Sequence, residues 1–407
     1  MAVTTRSARP VAEQRVENGN FHHLVMDIFW FGLALPATSR FMAVYALRVG
    51  ASTMQIGWLS ALPALVLLVS TLLSDRWRRR YPDAAQATVL PGLGFRFAFL
   101  LPAFTPLIAA EWQPMWLILS VTLPALPQGI SSVTFLVMMR EAVSVERISA
   151  LVSRRMLVLN ATLGISTVIL GVWLIRMPFP FNYQAMFVLA FALTLISLWH
   201  VKQTRPVFEM PVTRPVPVMT ALRDADFREV IKAVIGIHLA FFFAAPLIPV
   251  YLIDQLGANE SFIALFVFVE LTAGAAMAAV LPRITKKTGH RALLFPAMVG
   301  LAVSTATIVL IPHLSAALVG AALTGAAWTM AGVAMFGFFS EKTTRDQVAS
   351  YTMIYNQAAF LSVFVAPLLS SILADGVIDI AWVLLAGAGL RLLVGVSIQL
   401  AGSKKSA

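Results

Sequence analysis

"LLSDRWRRRYP", residues 72–82, sets Arg76, Arg78, Arg79 and Arg80 directly behind an apolar run that begins near Ile56. A run of about 20 apolar residues spans the roughly 30 Å of a bilayer's hydrocarbon at 1.5 Å per residue. Guanidinium groups at its end stop the helix and hold it at the anionic surface, at about 1 kcal/mol per side chain. The stretch therefore reads as the exit of a helix from a membrane, and the rest of the chain repeats that pattern.

The 407 residues are 59% hydrophobic and 12% charged, with a mean hydropathy of +0.83. Soluble domains carry about a quarter charged residues. Apolar segments are expected at 24–47, 55–74, 87–109, 115–139, 155–177, 183–201, 231–253, 260–282, 292–311, 315–339, 350–373 and 379–401. Arg40, Arg96 and Arg391 fall well inside these segments, and on one side only Arg48 and Arg176 lie in the loops or at the segment ends. All other Lys and Arg residues lie on the opposite side, so the positive-inside rule places both termini in the cytoplasm of a multi-pass cell-membrane protein. The net charge of +11 is thus a topology signal rather than a nucleic-acid footprint. With no Cys, thiol catalysis and thiolate metal sites are excluded. No His/Glu metal spacing, nucleophile elbow or phosphate-binding glycine loop appears, which speaks against an enzyme and against a cofactor.

The segments divide into a tail (1–23), six spans (24–201), a Pro-rich cytoplasmic linker (202–230) with a short amphipathic helix expected near Val218 to Val230, six spans (231–401) and a tail (402–407). "VGASTMQIG" at 49–57 aligns with "LGANESFIA" at 256–264, Pro36 with Pro246, and Glu141 with Glu341. Three matches in order at a nearly constant offset predict duplicated halves, as in parallel-repeat transporters. The expected fold is an all-α membrane protein of twelve transmembrane helices, built as two pseudo-symmetric six-helix bundles.

Asp75, Arg76, Arg79 and Arg80 fall on the charged positions of the G-x-x-x-D-R/K-x-G-R-K/R loop between spans two and three, with Thr71 and Arg78 replacing its glycines. With the 6 + 6 topology and basic central loop, the whole chain resembles the major facilitator superfamily. In the second half Gly289 and Arg291 match, whereas Lys286 stands where the pattern has Asp. The fifth span has Gly164 and Gly171 but lacks the Gly-Pro signature of the family's drug/proton antiporters. The resemblance implies alternating access and a conformational latch at Asp75, Arg76, Arg79 and Arg80, with Glu141 and Glu341 at the ends of spans four and ten.

A charge near the bilayer centre costs about 2.5 to 3.5 kcal/mol on insertion scales, so intramembrane ionisable groups mark function by default. Glu270 lies mid-span with no opposite charge within four residues, so it needs a partner on another helix or a proton. It is the first candidate for proton coupling. Asp27, Arg40 and His238 are further candidates for substrate or proton contact, and Gln128, Asn356 and Gln357 for hydrogen bonds to substrate. Arg96 and Arg391 are expected to pair structurally. Aromatic triplets at 29–31 and 241–243, with Trp328 and Met330, suit an amphipathic or largely apolar solute. The resulting expectation is a monomeric, proton-coupled secondary transporter that exports a small amphipathic molecule. The alternative is a transporter-like scaffold for a pigment or lipid pathway.

Overall fold

The computed structural model describes residues 11–208, 217–343 and 348–406. Part of the expected N-terminal tail, part of the linker and the last residue lie outside that range. The helices are α1 (Val11–Ala34), α2 (Pro36–Ser39), α3 (Phe41–Arg48), α4 (Thr53–Ser70), α5 (Ser74–Arg78), α6 (Ala84–Arg96), α7 (Gln113–Ala142), α8 (Val145–Arg176) and α9 (Phe181–Lys202) in the first half. They are followed by α10 (Val218–Ala221), α11 (Ala225–Ala244), α12 (Leu247–Asp254), α13 (Glu260–Thr288), α14 (Leu294–Leu310), α15 (Leu314–Glu341), α16 (Val348–Ala374) and α17 (Ile380–Ser406). No strand occurs among the described residues. Among the described residues, eleven helical segments, running from Thr53 to Ala401, are long and apolar enough to cross a membrane. The first expected span, 24–47, differs from them: polar residues thin out the hydropathy of α1, and the helix breaks at Pro36 and again at Arg40.

Helix α1 begins at Val11, well before the expected span. Its polar turns are ordered because Glu17 and Asn20 are buried. Glu17 accepts hydrogen bonds from the Ser144 N–H and hydroxyl, and Asn20 donates to the carbonyls of Ala142 and Arg205. In the linker, the expected helix to Val230 is instead two pieces. Chain turning after Ala221 lets Asp224 cap α11 by accepting from the Asp226 and Phe227 N–H groups.

The two halves repeat local structure. Gly50 and Gly257 both adopt the left-handed conformation, at φ 86° and 66°. Two residues later Ser52 and Asn259 each accept a hydrogen bond from the N–H three positions on, starting α4 and α13. Pro36 and Pro246 each begin a new helical segment where their missing N–H interrupts the ladder.

Extensive packing between the halves is confined, among the described residues, to α8 against α13, α4 against α16, and α12 against α3 and α4. Small residues allow it. A methyl group on Gly57 would overlap Ser371, and one on Gly171 would overlap Ala264. Both contacts lie away from the arginine-rich loop, here called the basic end. At the opposite end the apolar cores merge: Val250 and Ala264 join the core of the first half, and Val44 joins that of the second. At the basic end each half has its own core, around Leu24 and Leu151 in one and around Phe227 and Leu294 in the other.

Candidate functional site

Among the described residues two ion pairs join the halves, both on the side where they pack. The break between α2 and α3 places Arg40 so that Nη1 lies 3.4 Å from Oε2 of Glu270 on α13. Glu270 is mostly buried, and its backbone sits at a tight crossing: a methyl on Gly325 of α15 would overlap the Glu270 carbonyl. Beyond it, Arg48 at the end of α3 pairs with Glu260 at the start of α13. The Tyr183 hydroxyl donates to the same Glu260 carboxylate at 3.4 Å, and the Arg48 guanidinium lies 5.0 Å over the Phe179 ring.

The ion pairs seen among the described residues at the basic end lie within a half. Arg78 lies 2.6 Å from Glu141, whose other oxygen accepts the Ala84 N–H at 2.8 Å. In the second half His290 lies 2.5 Å from Glu341, Arg291 lies 2.5 Å from Glu229, and Lys342 lies 2.9 Å from Asp226. Arg78–Glu141 and His290–Glu341 are counterparts: in each, a basic side chain from the loop between the second and third spans of its half meets the glutamate near the end of the fourth span. Asp75 pairs with Arg79 one turn on, at 2.7 Å, with both side chains about two-thirds exposed. The bond to Asp75 holds the Arg79 guanidinium above its ordinary pKa. Arg76 and Arg80 are exposed, the latter 6.0 Å from the Trp77 ring.

A third constellation lies inside the first half. Asp27 is buried between α1 and its neighbours, with Oδ2 2.9 Å from Nη1 of Arg155 and Oδ1 accepting from the Ser197 hydroxyl at 2.7 Å. That hydroxyl accepts in turn from Arg96 at 2.9 Å. Arg96 also donates to the carbonyls of Thr194 and Gly92, which fixes α6 against α9. Asp27, Arg96, Arg155 and Gln128 line one cavity of about 300 Å³.

His238 sits in the second half. Its Nδ1–H donates to the Val234 carbonyl at 2.8 Å, and its ring packs against Phe242 and Trp328. Asn356 is exposed and Gln357 half-buried on α16, and neither makes a hydrogen bond among the described residues. Arg391 is buried, donating to the carbonyls of Ala240, Leu301 and Phe241 and to the Thr305 hydroxyl. It ties α17 to α11 and α14.

The structure thus brings Arg40 to Glu270 and Asp27 to Gln128, and leaves His238, Asn356 and Gln357 apart from both. Sequence reasoning missed Arg78, Arg155, Ser197 and the Arg48–Glu260 pair. Arg78 and Arg155 were absorbed into the topology signal, and Ser197 carries no charge to mark it. Arg48 and Glu260 each lie within three residues of the repeated glycine turn of their half, the one available hint.

The fold is shared with solved transporter structures. A transporter of the POT family in complex with a thioalcohol-conjugated peptide superposes with a TM-score of 0.74 at 11% identity, covering 94% of this chain and 96% of its own. A bacterial homologue of the iron transporter ferroportin in an inward-facing state gives 0.69 at 14%, covering 95% and 98%. The nucleoside transporter NupG gives 0.68 at 9%, covering 95% and 99%. No curated protein matches the sequence. The family model of the Major Facilitator Superfamily matches residues 24–367, and the chain belongs to that superfamily of membrane transporters.

Proposed function

We propose that this protein is a secondary active transporter that moves a small amphipathic organic molecule by alternating access, coupled to protons and working in the export direction as a monomer in the cell membrane. In this reading the basic end is the cytoplasmic end, and the conformation with the halves packed at the opposite end is the one that opens to the cytoplasm. The observation that carries this reading is the asymmetry of contact between the halves. Among the described residues, the merged cores and the two cross-half ion pairs lie on the side away from the basic end, while the described ion pairs and cores at the basic end belong to one half each. A rocking motion has to break the first set and create contacts in the second.

Glu270 is the coupling group in this mechanism. Ionised, it pairs with Arg40 and holds the outer side shut; protonated, it loses the ionic attraction and the seal weakens. Roughly 5 kcal/mol of gross attraction acts at 3.4 Å for an effective dielectric near 20, largely offset by desolvation. Such a pair can be switched by one proton. The latch at Asp75, Arg76, Arg79 and Arg80 would engage on the cytoplasmic side once the halves close there.

The test is flux in vesicles containing the purified protein. A pH gradient, acid on the side opposite the basic end, should drive proton entry when an amphipathic solute is trapped inside, and Glu270→Gln should uncouple the two while retaining solute exchange. Equal solute movement with and without the gradient would remove proton coupling. Absence of any solute movement across a broad panel would remove the transport reading.

A further inference from the structure

The cavity of about 300 Å³ inside the first half is unequal in charge. Two guanidinium groups, Arg96 and Arg155, face one carboxylate, Asp27. Arginine stays protonated in proteins, so the lining carries a surplus positive charge. A buried charge without a counter-charge is costly, and an incoming anion relieves that cost. Donors are also left over. Nη1 of Arg155 serves Asp27 and the Leu24 carbonyl, whereas its Nε and Nη2 donate to no described residue. The Gln128 amide and the Ser131 hydroxyl, both on α7 and both lining the cavity, likewise lack a side-chain or backbone partner among the described residues.

The remaining wall is largely apolar. Most of it is Phe31, Phe95, Phe135, Ile28 and Leu198, beside the Thr88 and Ser132 hydroxyls, and the Phe135 ring lies 4.8 Å from the Arg155 guanidinium. The volume is at the lower end for small-molecule sites. From this combination of surplus guanidinium charge, idle donors and aromatic walls we propose that the cavity binds an anionic oxygen group, a carboxylate or phosphate, borne on an apolar body. Arg155 and Gln128 take the oxygens, with Arg155 forming the forked hydrogen bonds that planar guanidinium groups make to such anions. Asp27 is a competitor for Arg155, so it sets the affinity instead of contacting the ligand favourably. The solute of the transport cycle and the headgroup of an anionic lipid share this chemistry. In naming the solute's charge, the inference rests on the transport reading above.

Binding to the purified full-length protein tests it by calorimetry, with naphthoate, its neutral analogue naphthylmethanol and the cation naphthylmethylammonium as probes. Naphthoate should bind at least about tenfold more tightly than the other two. Arg155→Gln should cost about tenfold in naphthoate affinity. Ser132→Phe, a change at an exposed position on the cavity rim, should abolish binding without touching a buried group. Asp27→Asn should tighten naphthoate binding several-fold by freeing Arg155. Competition by a short-chain phosphatidylglycerol would identify the lipid headgroup as a natural occupant, and failure of that lipid to compete would point to the solute; both retain the anion site. The proposal is overturned if the three probes bind alike, if Arg155→Gln and Ser132→Phe leave naphthoate binding unchanged, or if Asp27→Asn weakens it in a protein that stays folded. None of those results bears on the cross-half contacts, so the transport reading would stand or fall separately.

Discussion

At the residue scale, the charged groups separate by burial rather than by motif. Asp75 occupies the motif position, yet its pair with Arg79 is exposed, and exposed pairs contribute about 0 to 1 kcal/mol. Glu141 is buried, and its carboxylate holds both Arg78 and the Ala84 N–H. Asp75→Asn should therefore leave the stability of the protein within about 0.5 kcal/mol of the parent, while Arg78→Ala should cost about 2 kcal/mol by stranding a buried carboxylate. Thermal unfolding of the two variants in the same detergent decides between motif and burial. Glu270 and Arg40 extend the point. The sequence marked each as an unusual intramembrane charge but not that they meet, because 230 residues separate them and no local spacing encodes a contact between halves. If they act as a pair, Arg40→Gln and Glu270→Gln should be non-additive, the double variant being more stable than the sum of the singles predicts by about 1 kcal/mol.

At the scale of elements, span positions were legible from apolar length and loop charge, and the places where helices touch were legible only through small residues. Gly274 was readable as a packing position beside Glu270, and the structure places it against Thr329 and Gly325. Its counterpart Gly325 gave no such hint, since a glycine in an apolar helix looks the same whether it faces lipid or a neighbour. Gly325→Val should force α13 and α15 apart and shift Glu270 from Arg40, lowering the unfolding temperature and any coupling together. Helix α1 shows the opposite failure: its polar turns read as a tail, although they are welded to α7, α8 and the linker through Glu17 and Asn20. One further contact there should respond to acid. His23 on α1 and His200 on α9 meet Nδ1 to Nδ1 at 3.0 Å, a geometry that accommodates one shared proton and not two charges. Amide exchange in the first turns of α1 should accelerate below about pH 6, and His23→Phe should remove that dependence. Exchange equal at pH 5 and pH 8 in the parent would dismiss the idea.

For the whole molecule, duplication was legible because it left marks in turn chemistry. The Gly50 and Gly257 turns, the Ser52 and Asn259 caps and the paired proline breaks are local structures that each residue type dictates by itself. The end at which the halves pack was not legible, since no local spacing encodes it and the balance between alternative packings is a matter of small free-energy differences. That balance is measurable here without background because the chain contains no cysteine. Spin labels at Val69→Cys on α4 and Ile284→Cys on α13, partly exposed sites near the basic end of opposite halves, should report a long distance in the conformation described. A second pair at Glu111→Cys and Val377→Cys should report the opposite end. If the halves rock, conditions that shorten the first distance lengthen the second, and Glu270→Gln, which mimics protonation and removes the ionic contact with Arg40, should shift both distributions in that direction at neutral pH. Two distances that vary independently, or a first distance that Glu270→Gln leaves unchanged, would separate the cross-half pair from the opening of the molecule.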